Sequence, residues 1–259
     1  MRGRGWLLRL SRLLLGTEAV RIDIGGGTYI DGSLTDWMIV WTFMCRHEVD
    51  QPFQRSLQLV QPSNVVLDIG ANVGIWSLLA AKRGARVHAF EPVPALADRL
   101  RRHAQLNNVD IVINAFALGA ERATVTFFEA RDGNSGASSL RRRSVRDIES
   151  DVAVMTVDDY ISRERIDRVH VVKVDVEGAE VLVFRGASKL LSSEQAPIVF
   201  FELDPQLCEP FGATPDEVKS FLADRGYAIH RWMGSAFSRV EPNEQHGHED
   251  LFAVKELSC

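Results

Sequence analysis

The chain has 259 residues, 46% of them hydrophobic and 25% charged, with a formal net charge of −5. These proportions suit one large α/β domain with a short N-terminal extension and exclude bulk disorder. The acidic balance argues against a surface that coats nucleic acid, because such domains are basic.

Residues 1–16 set Arg2, Arg4, Arg9 and Arg12 among Trp6 and leucines 7, 8, 10, 13, 14 and 15. The arginines interrupt any run apolar enough for a signal peptide, and the stretch is too short to span a bilayer. It reads as a cationic amphipathic helix, either in peripheral contact with an anionic membrane or packed on the domain's own surface. A β-like stretch follows from Arg21 to Ile30, punctuated by Gly25, Gly26 and Gly27. Asp36–Cys45 reads as a helix capped by Thr35, and Val49–Val60 as another that stops before Pro62. Residues 1–64 are thus expected to cap a main domain at 65–259. The cysteines, Cys45, Cys208 and Cys259, form no CxxC pair and are odd in number, which predicts a reduced, cytoplasmic chain without a disulfide frame or zinc site.

From Val65 short apolar runs alternate with helical patterns, the signal of parallel strands joined by crossover helices. The expected strands are Val65–Ile69, Arg86–Phe90, Ile111–Asn114, Val169–Val174 and Pro197–Leu203. Helices are expected at Ile75–Arg83, Ala95–Asn107 (with Pro94 in its first turn), Glu180–Leu191 and Asp216–Arg225, the last opened by Thr214 and Pro215. Ala228–Trp232 and Asp250–Lys255 read as a closing antiparallel pair, which completes a mostly parallel sheet of seven strands with helices on both faces. Ala130–Ser150 is polar, glycine-bearing and without period, so it reads as a long loop, either a lid or a solvated insertion.

The first of these strands ends in Asp68-Ile69-Gly70 and runs into Ala71-Asn72-Val73-Gly74. A strand feeding a helix through a glycine turn is expected to bring backbone N–H groups to a ligand. The pattern is D-x-G-x-x-x-G, not the G-x-G-x-x-G of dinucleotide sites. Asp68 would repel a pyrophosphate, whereas an ammonium and a sulfonium would be attracted, which favours S-adenosylmethionine over NAD. Glu91 ends the next strand 23 residues after Asp68, where a carboxylate accepts hydrogen bonds from ribose hydroxyls. The adenine edge is expected near Asn114–Ala117, with Ala117 beside it.

The fourth strand runs into Lys173-Val174-Asp175-Val176-Glu177-Gly178-Ala179-Glu180. Strand alternation puts Lys173 and Asp175 on one face, at the carboxyl end where open parallel sheets bind ligands. Asp175 could orient an acceptor hydroxyl or take its proton, with Lys173 holding it ionised and Glu177 nearby. A purely structural Lys–Asp pair, with Glu177 and Glu180 starting a helix, is the alternative. Glu202 and Asp204 could line the acceptor side. Asp175, Glu202 and Asp204 offer oxygens to Mg²⁺, but no ligand spacing is diagnostic and no metal is expected. His246 and His248, followed by Glu249 and Asp250, offer metal ligands but read first as a polar turn ahead of the last strand.

These pieces, together with Asn107-Asn108, Ala117-Leu118-Gly119, Ser138-Ser139-Leu140, Thr156-Val157-Asp158-Asp159-Tyr160 and Phe201-Glu202, resemble the FkbM-type methyltransferases across about residues 65–230. Val157 stands where a leucine is usual. The resemblance implies a class I methyltransferase fold, S-adenosylmethionine as donor, and O-methylation of a sugar, glycolipid or polyketide-type acceptor. By matching position it assigns Asp68, Gly70, Asn72, Gly74 and Glu91 to the donor, and Asp175 to the reaction centre. Two other classes remain beside it: a protein of this fold that binds without turnover, and an NAD-dependent oxidoreductase, which the glycine spacing and Asp68 disfavour.

Overall fold

The computed structural model describes residues 19–33, 36, 39, 42, 51–129, 148–244 and 247–255. The expected helix at 1–16, nearly all of Asp36–Cys45 with Thr35, residues 130–147, and Cys45, His246 and Cys259 lie outside them.

The chain opens with a hairpin, β1 (Ala19–Gly25) and β2 (Thr28–Ser33), turning over three glycines of positive φ. Helix α1 (Gln51–Gln58) follows. Then come β3 (Val65–Ile69), α2 (Ile75–Lys82), β4 (Arg86–Phe90), α3 (Pro94–Leu106) and β5 (Ile111–Asn114). Every side chain of β3 is buried, as a strand covered by helices on both faces requires.

A second, three-stranded sheet interrupts this rhythm: β6 (Ala117–Leu118), β7 (Ala123–Glu129) and β8 (Ile148–Met155), in the order β6-β8-β7. Its last strand begins inside the segment expected to be loop. Phe127 of β7 and Val152 of β8 pack with Val73, Val93 and Leu96, so the small sheet braces the turn after β3 and the start of α3.

The chain continues through α4 (Val157–Glu164), β9 (Val171–Val174), α5 (Glu180–Gly186), α6 (Ser188–Ser192), β10 (Ile198–Leu203), α7 (Pro205–Cys208), a 3-10 turn, α8 (Pro215–Ala223), β11 (Tyr227–Trp232), β12 (Phe237–Val240) and β13 (Glu249–Lys255). The large sheet runs β12-β11-β13-β10-β9-β3-β4-β5. From β10 to β5 all neighbours are parallel, while β13 runs antiparallel between β10 and β11. This is the class I methyltransferase order, with β12 as an eighth strand hydrogen-bonded to the β11 edge.

The single helix expected at Glu180–Leu191 is two. Gly186 lies against Gly119, where a Cβ would stand 2.0 Å from the carbonyl oxygen. Past that contact, Asp158 restarts the helix by accepting from the Lys189 and Leu190 amides at 2.8 and 3.0 Å. Thr214 caps α8 through a reciprocal capping box with Glu217, as the Thr-Pro pair leads one to expect.

The hairpin and α1 bury Ile22, Ile24, Ile30 and Leu57 in one core with Val66, Trp76, Leu78, Val87 and Leu100. Polar clamps fix them there. The Asn107 side chain accepts from the Tyr29 amide and donates to the Tyr29 carbonyl, both at 2.6 Å. The Trp76 indole donates to Ser56 Oγ at 2.9 Å. No helix among the described residues is long and apolar enough to cross a membrane.

Asn107→Ala would strand both main-chain groups of Tyr29 and cost about 1–3 kcal/mol. Urea unfolding followed by circular dichroism checks this, and an unchanged midpoint would remove Asn107 as the hairpin's anchor.

Candidate active site

The order of the strands reverses between β3 and β9: one run leads outward to β5, the other to β10. A crevice therefore opens at the carboxyl ends of β3 and β9, the usual ligand position of such sheets.

The turn after β3 forms its floor. Gly70 has φ 83°, and a Cβ there would stand 1.8 Å from the carbonyl oxygen of Asp175. Gly74 has φ 91°, and its missing Cβ makes room for Leu100 Cδ1 of α3. Both positions demand glycine on space as well as on φ. Asn72 between them is left-handed too, at φ 52°.

The backbone amides of this turn do not point at a ligand, contrary to expectation. Gly70 and Ala71 both donate to the Phe90 carbonyl at 3.0 and 2.9 Å, and Gly74 donates to the Ala71 carbonyl at 2.8 Å. Asn72 N donates to Glu91 Oε2 at 2.8 Å, and Val73 N to Asn72 Oδ1 at 2.7 Å. The turn is tied to β4 and to itself, so its five amides offer no phosphate cradle.

Glu91, at the end of β4, is 5% exposed. Its other oxygen, Oε1, accepts from the Val93 amide at 2.9 Å. Burial pushes its pKa up to about 7, with the two amide bonds pulling the other way and Asp68 adding to the rise. Each carboxylate oxygen has a second lone pair, so Glu91 can still accept from a diol.

Asp68 and Lys173 are register partners on β3 and β9. Asp68 is fully buried, so it does not face the crevice itself. Its Oδ2 accepts from Ser77 Oγ at 2.6 Å, and its Oδ1 lies 3.2 Å from Lys173 Nζ. The same ammonium lies 3.2 Å from Asp175 Oδ2 and donates to the Gly70 carbonyl at 3.3 Å. Burial opposes the charge on Lys173, but Asp175 and Asp68 outweigh it and raise its pKa. Asp175 is 38% exposed and is the member of the trio that reaches the crevice. Burial works against its ionisation too, yet Lys173 and a hydrogen bond with Glu202 carry its pKa below the ordinary value.

Glu177 sits in the turn after Asp175 in left-handed backbone, φ 56°. Beside it Glu180 Oε1 accepts from the Val176 and Gly178 amides at 3.2 and 3.1 Å, which makes Glu180 a brace of this turn. Ala117, half-buried in β6, packs at the edge of the cluster around Val73. Below the end of β5, the Tyr160 hydroxyl joins His88 Nδ1 at 2.7 Å and the Asn114 amide at 3.1 Å. Ser77 and this Tyr160 network escaped the sequence reading, although Tyr160 closes one of its motifs.

On the acceptor side Glu202 follows Asp175 across β10, and His248 Nδ1 lies 3.0 Å from Glu202 Oε1. Burial first, and then the neighbouring Asp175, raise the pKa of Glu202. Asp204, 3.9 Å from the same imidazole nitrogen, also caps α7. No group of side chains suited to hold a metal ion occurs among the described residues.

Residues 68–229 match the methyltransferase FkbM domain. The chain belongs to that family. It is 26% identical over 221 residues to the methyltransferase sdnD of Sordaria araneosa, covering 71% of this chain and 83% of that one. It is 26% identical over 170 residues to the hexuronic acid methyltransferase AglP of Haloferax volcanii, covering 65% of each. With the 31-O-demethyl-FK506 methyltransferase FkbM of Streptomyces tacrolimicus it shares 27% identity over 157 residues, 49% of this chain and 60% of that protein. The chain is therefore a methyltransferase.

Lys173→Met would leave the Asp68 carboxylate buried beside no cation, at a cost of about 3–5 kcal/mol. Adding Asp68→Asn to that variant should recover part of the loss in urea unfolding. Strictly additive losses would show that the two residues do not act as a pair.

Proposed function

We propose that the chain is an S-adenosylmethionine-dependent O-methyltransferase that acts on a hydroxyl of a sugar, glycolipid or polyketide-type small molecule in the cytoplasm. The observation that carries this reading is the turn at 70–74, whose amides are all engaged within the protein. A pyrophosphate would find no donors there, whereas a nucleoside joined to an amino-acid sulfonium needs none.

The side chains fit that donor. Glu91 would take the ribose hydroxyls. Asp175, backed by Lys173 and Asp68, sets negative charge at the crevice where a sulfonium and an ammonium would lie. Gly70 and Gly74 let the floor pack closely on the Asp175 carbonyl and on Leu100, with Asn72 and Ala71 along it and Ala117 toward the base. When bound, the donor supplies an activated methyl group. The protein's part is to hold an acceptor oxygen in line with it, to exclude water and to remove a proton. The partly exposed Asp175 is placed to orient that oxygen, with Glu177 in the adjoining turn. The hydroxyl class of acceptor draws on the hexuronic acid and O-demethyl substrates in the relatives' names.

Calorimetric titration with S-adenosylhomocysteine, with NAD⁺ as control, tests the donor assignment. Saturable binding of the first alone is expected, and tighter binding of NAD⁺ would overturn it. Glu91→Ala should weaken S-adenosylhomocysteine binding by about 1–3 kcal/mol. Because the ionised carboxylate is the better acceptor and its pKa is about 7, wild-type affinity should rise with pH through that value, with proton release on binding. A flat pH response, or an unaffected variant, would take Glu91 off the ribose.

A further inference from the structure

Five ionisable side chains run in a line from the sealed floor of the crevice to the surface: Asp68, Lys173, Asp175, Glu202 and His248. Lys173 Nζ is 3.2 Å from both aspartates, Asp175 and Glu202 are hydrogen-bonded, and Glu202 Oε1 is 3.0 Å from His248 Nδ1. Asp68 and Lys173 are 0% and 8% exposed, whereas Asp175, Glu202 and His248 are 38%, 28% and 54% exposed. The inner three hold the turns of the donor site together. Glu202 and His248 lie outside those turns, and no bond to His248 Nε2 is found among the described residues.

We propose that His248 is the base that removes the acceptor's proton, and that Glu202 is its positioning residue. This rests on the O-methyltransferase reading above. Nδ1–H donates to Glu202, which fixes the tautomer and leaves the Nε2 lone pair directed away from its holder. The acceptor hydroxyl lies between Asp175, which orients it, and Nε2. Its oxygen forms a bond to the methyl carbon, the carbon–sulfur bond breaks with its electron pair left on sulfur, and the hydroxyl proton passes to Nε2. The imidazolium is then stabilised by Glu202 and loses its proton to water at its exposed edge.

The groups facing His248 are all acidic: Glu202 and Asp204 at the end of β10 and Asp250 on β13, with Asp175 behind Glu202. The Glu202 hydrogen bond leads in pushing its pKa up to about 9, against some loss from burial. The neutral imidazole is the active form, so turnover should climb with pH toward that value.

The experiment is a titration of His248 by proton–carbon NMR on the full chain with ring-labelled histidine, in wild type and in Glu202→Gln. His248 should titrate well above the ordinary histidine range and fall by about one pH unit or more in the variant. An ordinary value in wild type, or no shift in Glu202→Gln, overturns the pairing. These spectra need no donor, so they can succeed where S-adenosylhomocysteine binding fails, and the two readings are separable. Turnover is then read as S-adenosylhomocysteine release across pH with methyl hexuronosides and macrolactone alcohols. His248→Gln should lose about 10²–10⁴-fold in kcat while its S-adenosylhomocysteine affinity stays within about twofold. Glu202→Gln should move the pH–kcat rise downward. Wild-type kcat in His248→Gln at every pH overturns the role as base.

Discussion

One ammonium group, that of Lys173, holds two strand ends together. It stands between a carboxylate sealed under the sheet and one that opens on the crevice, and it also reaches the Gly70 carbonyl. A buried pair of this kind adds little net stability over an apolar pair of the same size. Its effect is on specificity. Asp68 and Lys173 are direct neighbours in register, so a slip of one residue between β3 and β9 would turn Lys173 to the opposite face and strand Asp68 in the core. The register that satisfies the charge also lays Gly70 on the Asp175 carbonyl, and so the two turns that frame the site are set by one contact.

The central strands were legible because they are short runs of β-branched and apolar residues cut off by Asp, Glu or Gly. β3, β4 and β5 have the bounds the pattern implies. The small sheet was not. Ala123–Glu129 does alternate, but its partner β8 opens with Ile148-Glu149-Ser150-Asp151, which looks like loop until a neighbour covers one side. The break after Gly186 depends on a backbone contact with Gly119, far away in sequence, and no local propensity encodes it.

For the site, residue types and strand ends could be read, but partners could not. Alternation placed Lys173 beside Asp175; that Asp68 is the third member follows from β9 lying next to β3. The sequence pattern suggested amides aimed at a ligand, and the structure turns them on Phe90 and Glu91. His248 was harder still. β13 is inserted antiparallel between β10 and β11, so it begins where the parallel strands end, with Glu249 opposite Leu203. A polar turn 46 residues beyond Glu202 is delivered to the crevice by that reversal alone.

The self-contained turn at 70–74 has a kinetic corollary. Its hydrogen bonds, its glycine contacts and its brace from Phe127 and Val152 are complete in the protein alone. A binding surface finished in advance incurs little ordering entropy when its ligand arrives. A ligand that docks on this turn therefore meets a surface whose own hydrogen bonds need no rearrangement, which favours association set by encounter and orientation.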